Sequence, residues 1–456
     1  MLFKKYKGIA TITLVFLFIK LITLNFYKIV WWDSAVYIGM GKYIYSLGNA
    51  GLWENSRPIV WPLILGFFWK LGFNVILVGR IMEVIFGGLC ILMTYLIGRR
   101  LFNEKTAMLS SLLLAISPTF FFFGGVMLTE IISTFFALSG IYYFIERKHL
   151  LSGLFLGIAF MTRFLQLIVF IALVIVILIY FNKKDIKNQS KIFIGLLIAV
   201  LPYLALNLVL YNNAFLAFAQ QLYLSNNSGW FNYHSLNYYL IELFKENFLY
   251  LLFVFGIFLL FKGKGINKKI IVISFYLFFI FFNSIKQKEM RFLIISFPYL
   301  YLLVSYFVVT IYDKFKNQFK YAILIIILLS FVFSFIKINS YYKEEISKHD
   351  VYKELQNRFQ EQNVRGDTWV SNPIIPVKTD KLVKLIYYPT FNETKKGELI
   401  KEKSSFIFLD FCDLGCRPGD INCSTNKVEL LNFLKNELKV EYSSIMNDCE
   451  QYIFKR

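Results

Sequence analysis

The sequence predicts a polytopic α-helical membrane protein of about eleven transmembrane helices, followed by a small C-terminal α/β domain outside the membrane. Of its 456 residues, 57% are hydrophobic and 19% aromatic, which is more apolar surface than a soluble chain of this length needs to bury. Apolar runs of about 17–25 residues, the length that crosses a bilayer as a helix, recur up to about residue 340. We therefore predict two domains, residues 1–340 in the membrane and residues 341–456 outside it.

The predicted spans follow one another through the first domain. They lie at about residues 8–30, 75–97, 106–124, 128–145, 150–164, 166–182, 192–212, 247–262, 269–285, 292–312 and 320–339. The first span has basic residues before it but no small-residue cleavage site, so we expect a retained helix and not a signal peptide.

Basic residues in alternate loops set the predicted orientation, because cytoplasmic loops of membrane proteins are enriched in Lys and Arg. The basic loops carry Lys4, Lys5 and Lys7; Arg99, Arg100 and Lys105; Arg147 and Lys148; Lys183, Lys184 and Lys187; Lys262, Lys264, Lys268 and Lys269; and Lys314, Lys316 and Lys320. We therefore expect a multi-pass protein of the cell membrane or an endomembrane, with a cytoplasmic N-terminus and an extracytoplasmic C-terminal domain.

The net charge of +20 belongs to the membrane domain. Residues 341–456 hold 18 Lys and Arg against 18 Asp and Glu, which leaves 31 basic and 11 acidic residues in the first 340. The basic excess therefore reflects membrane orientation, and we predict the lipid bilayer and no nucleic acid as a partner.

The C-terminal domain alternates short β-rich runs with helix-like stretches. The β-rich runs are Thr368–Ser371, Leu385–Tyr388, Ser405–Phe411 and Tyr452–Phe454, and a helix is predicted at Asn426–Leu438.

Four cysteines fall in this domain, Cys412, Cys416, Cys423 and Cys449. On the outer side they favour two disulfides, in any of three pairings. A zinc site is the alternative because the number of thiols fits, although the spacings do not match a zinc ribbon.

Two acids stand out among the few in the membrane domain. Asp33 follows the first span and precedes a short amphipathic stretch, so it either caps a helix or acts as a general base or metal ligand. Glu130, at the outer end of the fourth span, either suits the helix dipole or faces the same cavity as Asp33. A third acid, Glu83, lies three residues after Arg80, and this spacing favours an ion pair on one helix face.

One outer loop breaks the inside-positive rule. Lys286, Lys288 and Arg291 lie close together there, and a phosphate or diphosphate headgroup would compensate their charge. The alternative is that they reach ordinary lipid phosphates. Arg163, at the outer end of the fifth span, is a further candidate for phosphate binding. The aromatic segment Asn226–Tyr239 contacts either a sugar or acceptor, or the membrane interface.

Together these segments resemble the GT-C superfamily of membrane glycosyltransferases, which includes protein O-mannosyltransferases and the aminoarabinose and mannosyl transferases that use polyprenyl-phosphate sugars. The resemblance covers about residues 8–340, and Asp33 stands where the family keeps its first-loop catalytic acid. The other similar segments are Ser56–Leu63, Gly79–Arg80, Gly98–Phe102, Leu128–Glu130, Thr162–Arg163 and Lys288–Leu293. The chain departs from the family where Gln287 replaces a histidine and where Ser34, not a second acid, follows Asp33.

The resemblance implies transfer of a sugar such as mannose from a polyprenyl or dolichyl phosphate to an acceptor hydroxyl on a glycan, lipid or protein, with inversion. Asp33 would be the general base and Glu130 a second catalytic residue, while a divalent metal could assist at the phosphate. The cations assigned to the donor phosphate are Arg163, Lys286, Lys288 and Arg291. The residues assigned to a substrate loop are Arg57, Trp230, Tyr233 and His234.

Two other classes of function compete with this interpretation. A lipid-linked-sugar flippase or other transporter would place ionisable groups near the bilayer midplane, whereas these acids cluster at the outer rim. A non-enzymatic membrane assembly factor would use the C-terminal domain as its working part.

Overall fold

The chain is mostly helical. The computed structural model describes residues 2–180, 188–227, 233–262, 265, 268–362, 368–386, 397, 399, 406–416 and 419–456. The α-helices there are Leu2–Thr23, Trp32–Tyr45, Val60–Lys70, Val75–Leu101, Glu104–Ala115, Pro118–Phe123, Glu130–Ile145, His149–Thr162, Leu167–Tyr180, Lys191–Tyr211, Leu216–Asn227, Tyr238–Glu246, Phe253–Lys262, Lys269–Ser284, Phe297–Ser347, Lys353–Glu361 and Ile421–Glu437. The predicted cytoplasmic loop with Lys183, Lys184 and Lys187 lies outside the described residues, as does Trp230.

The predicted polytopic class is confirmed. Five helical segments in the described part of the chain are long and apolar enough to cross a membrane. They are Tyr6–Phe26, Val75–Leu101, Lys191–Tyr211, Met290–Phe315 and Tyr321–Ser347. Shorter apolar helices of 10–17 residues accompany them, among them Glu130–Ile145, His149–Thr162 and Lys269–Ser284.

One predicted span was wrong in its extent. The span at 106–124 is broken into Glu104–Ala115 and Pro118–Phe123, because a proline has no N–H to donate and suits the first turn of a new helix. The predicted spans at 292–312 and 320–339 match the candidate spans Met290–Phe315 and Tyr321–Ser347, and the helix Phe297–Ser347 continues between them, since the polar stretch there contains neither glycine nor proline. The helix Val60–Lys70 was not predicted at all.

The chain forms two compact units. The first comprises Met1–Tyr27, Arg80–Leu210 and Asn232–Ser347, and the second comprises Lys28–Gly79, Tyr211–Phe231 and Lys348–Arg456. The second unit thus includes an early segment, residues 28–79, that the sequence grouped with the membrane domain.

A five-stranded mixed sheet forms the centre of the second unit, as expected for an α/β domain. Its strands are β1 Thr368–Val370, β2 Lys384–Leu385, β3 Phe406–Asp410, β4 Lys439–Met446 and β5 Cys449–Lys455. They lie in the order β2-β1-β3-β5-β4, with β1 parallel to β2 and β3, and β5 antiparallel to β3 and β4. The strand β4 was not predicted. The helix Ile421–Glu437 packs on the sheet through Leu430 and Leu434, which share a buried core with Ile407 and Phe454.

The early segment packs on the same sheet. Val36 and Met40, on the helix Trp32–Tyr45, share a core with Phe408 and Ile453. Gly51 extends the contact, because its N–H donates to the Lys381 carbonyl and its own carbonyl accepts from Val383. A Cβ at Gly51 would lie 2.1 Å from a backbone oxygen, and φ there is +81°, so this close approach requires glycine.

Lys42 links the helix Trp32–Tyr45 to residues 377–380 of the C-terminal domain. Its buried Nζ donates to the carbonyl oxygens of Val377 (3.1 Å) and Thr379 (2.6 Å), and it pairs with Asp380 at 3.1 Å. Burial lowers the pKa of Lys42, and Asp380 partly offsets that shift. The helix that carries Asp33 is therefore positioned by the C-terminal domain.

The four C-terminal cysteines form two disulfides in the structure. Cys412, just after β3, is bonded to Cys449 at the start of β5, and Cys416 is bonded to Cys423 in the helix Ile421–Glu437. The sequence left three pairings open. The structure has the pairing of Cys412 with Cys449 and of Cys416 with Cys423.

Candidate functional site

Asp33 lies in the first turn of the helix Trp32–Tyr45 and pairs with Arg57. Asp33 Oδ1 is 2.8 Å from Arg57 Nη1, and the two side chains are 22% and 20% exposed. The Arg57 Nε atom donates to Glu54 Oε1 at 3.1 Å, and the Ser56 hydroxyl donates to the same oxygen at 3.0 Å. One guanidinium therefore bridges two carboxylates that are well separated in the chain.

Burial and two neighbouring carboxylates act in opposite directions on the pKa of Arg57. Burial by itself would lower the pKa of Arg57, but the Glu54 and Asp33 carboxylates raise it well above its ordinary value. The guanidinium also lies 5.7 Å from the centre of the Tyr37 ring. A permanent cation thus stands beside Asp33 and favours its ionised form, which is the form that a base requires.

Glu130 is the first residue of the helix Glu130–Ile145, and only 2% of its side chain is exposed. Its Oε1 lies 3.2 Å from Arg163 Nη1, and the same nitrogen donates to the Thr129 hydroxyl at 3.1 Å. Apart from that ion pair, neither Glu130 oxygen has a hydrogen-bond partner among the described residues. The two residues that the sequence assigned separately, one to catalysis and one to phosphate, thus form a buried ion pair.

Arg291 and Arg163 share one aromatic neighbour. Their guanidinium carbons lie 5.4 Å and 5.8 Å from the centre of the Phe292 ring, within the range of a cation–π contact. Arg291 Nε also pairs with Glu289 Oε2 at 2.6 Å. The structure therefore brings together two of the four cations predicted to bind phosphate, although they are far apart in the chain.

The other two predicted cations have different environments. Lys286 is exposed, whereas Lys288 is only 2% exposed and donates to the carbonyl of Ile285. Burial lowers the pKa of Lys288. Lys288 is therefore a desolvated ammonium group that would gain from a nearby anion.

The aromatic segment lies against the same loop. Tyr233 pairs with Gln287 in an isolated antiparallel bridge, and the His234 N–H donates to the Lys286 carbonyl at 3.4 Å. The exposed His234 ring stacks on Tyr238 with the centroids 4.1 Å apart. Two sets of residues that the sequence named independently are thus neighbours.

The buried carboxylate of Glu83 accepts the backbone N–H groups of Met127 and Leu128, the latter at 2.9 Å. The sequence spacing predicts an ion pair between Glu83 and Arg80, and that pair stays a prediction. The Arg80 guanidinium lies 5.6 Å from the centre of the Tyr27 ring.

The sequence also missed the contacts made by Glu54 and Phe292. The i, i+3 spacing of Glu54 and Arg57 was a local signal, and Phe292 belongs to the family-like segment Lys288–Leu293, although no role was assigned to it.

Asp33 and Arg57 belong to the second compact unit, and Glu130, Arg163 and Arg291 belong to the first. That Asp33 and Glu130 face one cavity stays a prediction, and so do the catalytic and binding roles of all these residues.

The sequence also predicts a divalent metal that assists at the donor phosphate, and few of the described residues are grouped as its ligands would be. Within the described residues, Asp410, Cys412 and Cys449 offer atoms within 4.8 Å of one another, but the two cysteines are joined in a disulfide. A metal at Asp33 and Glu54 would have to displace Arg57.

The structure resembles solved membrane enzymes over its whole length. ArnT from Cupriavidus metallidurans, in a structure with bound undecaprenyl phosphate, superposes with a TM-score of 0.70 at 10% identity, covering 100% of this chain and 98% of that one. The oligosaccharyltransferase of Archaeoglobus fulgidus in the apo form gives 0.64 at 12% identity, covering 90% of this chain and 70% of that one. The arabinofuranosyltransferase AftD from Mycobacteria gives 0.55 at 9% identity, covering 98% and 40%.

Sequence comparison agrees with the structural one. Residues 56–211, about a third of the chain, match the family model of dolichyl-phosphate-mannose-protein mannosyltransferases. No curated protein sequence matches significantly. The family match and the structural neighbours all fall in one superfamily of membrane glycosyltransferases, GT-C.

Proposed function

We propose that this chain, whose fold is that of the GT-C membrane glycosyltransferases, transfers a sugar from a polyprenyl-phosphate carrier to an acceptor hydroxyl at the extracytoplasmic face. The observation that carries the proposal is the superposition of the whole chain on ArnT with bound undecaprenyl phosphate. The Archaeoglobus fulgidus AglB protein, solved in complex with a dolichol-phosphate and an inhibitory peptide, supports the same class of donor at a TM-score of 0.60.

Arg163 and Arg291 are our candidates for holding the donor phosphate. When the bond between sugar and phosphate breaks, negative charge develops on the leaving phosphate, so fixed cations stabilise the transition state more than an acid would. Guanidinium groups suit this task because their planar arrangement of donors matches phosphate oxygens. Lys288 adds a desolvated positive charge in the same loop as Arg291.

Asp33 is our candidate for the general base. It would take the proton from the acceptor hydroxyl as that oxygen attacks the anomeric carbon, which inverts the configuration at that carbon. Arg57 keeps the carboxylate ionised and restricts its orientation, and both effects favour a positioned base. Glu130 is assigned to orienting Arg163, a role that fits its burial and its ion pair.

Tyr233 and His234 are our candidates for contacts with the sugar or the acceptor. Tyr233 is 44% exposed, and exposed rings are suited to stacking on a sugar face. Their pairing with the Lys286–Arg291 loop puts these rings beside Lys286 and Gln287. Glycan, lipid and protein acceptors all present the hydroxyl that this chemistry needs.

The proposal is tested by transfer assays with the purified protein in liposomes. The donors are polyprenyl phosphates carrying defined sugars, beginning with dolichyl-phosphate mannose because the matched family model names it. Transfer of radiolabelled sugar to an acceptor, reduced by about 100-fold or more in Asp33→Asn, is the expected result. Movement of the donor across the bilayer with no transfer would instead identify a flippase, and failure with every donor and acceptor would contradict the proposal.

A further inference from the structure

Glu83 stands out because it holds a backbone segment and not a side chain. It lies in the helix Val75–Leu101, and only 1% of the residue is exposed. Its two carboxylate oxygens accept the N–H groups of two successive residues, Met127 and Leu128. A carboxylate that receives two backbone N–H groups fixes both the position and the direction of the peptide between them.

The segment that Glu83 holds has an unusual backbone. Met127 has φ +69° and is completely buried. Left-handed backbone is unfavourable for a residue with a long side chain and persists only where the surroundings enforce it. The N–H groups of Met127 and Leu128 both donate to Glu83, so the conformation at Met127 is held by a residue 44 positions earlier in the chain.

The same segment leads directly to the Arg163 contacts. Leu128 is followed by Thr129, whose hydroxyl accepts from Arg163 Nη1 at 3.1 Å, and by Glu130, whose Oε1 is 3.2 Å from that nitrogen. Arg163 itself follows the helix His149–Thr162 in an extended conformation, and its guanidinium also lies over the Phe292 ring. A shift of the Met127–Leu128 backbone would therefore move both groups that orient the guanidinium.

We propose that Glu83 is a positioning residue for donor recognition: it clamps the Met127–Leu128 backbone and thereby sets Thr129 and Glu130, which orient Arg163 toward the donor phosphate. This inference rests on the proposed function for its last step. Its first step, the clamp itself, concerns only contacts within the protein.

Glu83→Gln is the informative substitution, because it preserves size but leaves one oxygen and one NH₂ group where two oxygens accepted N–H groups. We expect faster hydrogen–deuterium exchange at the amides of Met127 and Leu128. We also expect the KM for the donor to rise about tenfold, the size of effect that a lost buried hydrogen bond implies, with little change in the KM for the acceptor. Glu83→Asp should resemble Glu83→Gln, since the shorter side chain cannot reach both N–H groups.

Two further variants separate positioning from general loss of structure. Glu104→Gln is the matched control, because Glu104 bonds Tyr95 and Arg99 and is assigned no part in donor binding. Thr129→Val removes the hydroxyl that accepts from Arg163. If Glu83 acts through Thr129, the double variant should raise the donor KM by less than the product of the two single effects.

The outcomes distinguish this inference from the proposed function. Unchanged amide exchange in Glu83→Gln would overturn the clamp, whatever the enzyme does. Faster exchange with an unchanged donor KM, or with fully multiplicative effects in the double variant, would overturn the link to Arg163. A wild-type protein that neither binds undecaprenyl phosphate nor uses a polyprenyl-phosphate sugar would overturn the proposed function and the donor step together, while the exchange measurement would still decide the clamp.

Discussion

The Arg57 guanidinium lies 2.8 Å from the Asp33 carboxylate and at the same time bonds Glu54 at 3.1 Å. Arg57 had been assigned to a substrate loop from its position in a family-like segment. That assignment stays a prediction, and the contacts of Arg57 in the structure fit a second task, that of orienting the acid proposed as the base. This relationship makes the behaviour of Asp33 and Arg57 variants specific enough to test.

Asp33→Asn should reduce turnover by about 100-fold or more, the usual contribution of a positioned base. Donor binding should persist, because no cation assigned to the phosphate is altered. Asp33→Glu should recover little, since the extra methylene misplaces the carboxylate. The measurement is kcat together with donor binding, and the control is Asp313→Asn, which breaks a 2.5 Å pair with Lys105. A folded Asp33→Asn protein with nearly normal turnover would remove Asp33 as the base.

Arg57→Gln should shift the pH dependence of the reaction. The cation favours the ionised form of a neighbouring carboxylate, so its removal makes protonation easier. The acidic limb of the profile of kcat/KM against pH should therefore move to higher pH, whereas the alkaline limb should stay in place. An unmoved acidic limb in the variant, with the same limb lost in Asp33→Asn, would show that Arg57 does not influence the base.

Arg291→Ala should raise the KM for the donor, because it removes a guanidinium assigned to the phosphate. Some loss of melting temperature should accompany it, since the side chain is only 13% exposed and contacts Glu289 and Phe292. Arg291→Lys should restore little donor affinity if the guanidinium makes two parallel contacts to phosphate. Arg100→Ala, which breaks a pair with Glu146 at 2.8 Å, is the control for loss of a more exposed arginine ion pair. Equal donor KM values for wild type and Arg291→Ala would assign this loop to ordinary lipid headgroups.

Loss of the two disulfides should have unequal effects. The bond between Cys412 and Cys449 closes 37 residues, and that between Cys416 and Cys423 closes 7. Chain entropy then predicts stabilisation of about 4 and about 2 kcal/mol. Thermal unfolding of the two paired Cys→Ser variants should therefore show the larger loss for the first. Four free thiols with stoichiometric metal in the purified protein would instead support the zinc site.

Asp413 should make stability depend on pH in the direction opposite to that of most acids. Burial, together with the charge of Asp410, raises the pKa of Asp413 to about 6, although Tyr352, Asn372 and Ser371 donate to its carboxylate. Because this pKa lies above the ordinary value near 4, the folded state binds the proton more tightly than the unfolded state does. The contribution, on the order of 3 kcal/mol, is complete below about pH 4 and is lost as the pH rises through about 6.

The variant Asp413→Asn isolates that contribution. The difference in melting temperature between wild type and variant should change between about pH 4 and about pH 6.5 and level off above that range. A difference that stays constant with pH would mean that Asp413 titrates alike in the folded and unfolded chains.

The sequence by itself determined the membrane class of the protein and singled out individual residues for a site. Long apolar runs predict spans because their length and composition alone decide transfer into a bilayer. Asp33, Glu130, Arg163 and Arg291 could be singled out for a similar reason, since charges beside apolar runs are costly and few. Boundaries were less secure: the break at Pro118 and the continuous helix Phe297–Ser347 depended on local backbone effects that an apolar count does not register.

Only the tertiary structure decided which residues act on one another. Glu130 meets Arg163 and Glu83 meets the Met127–Leu128 backbone across 33 and 44 residues, and the helix carrying Asp33 packs on a sheet formed more than 300 residues later. Such pairings depend on how helices and strands pack, and packing is set by the shapes of whole buried faces and not by any short segment of sequence.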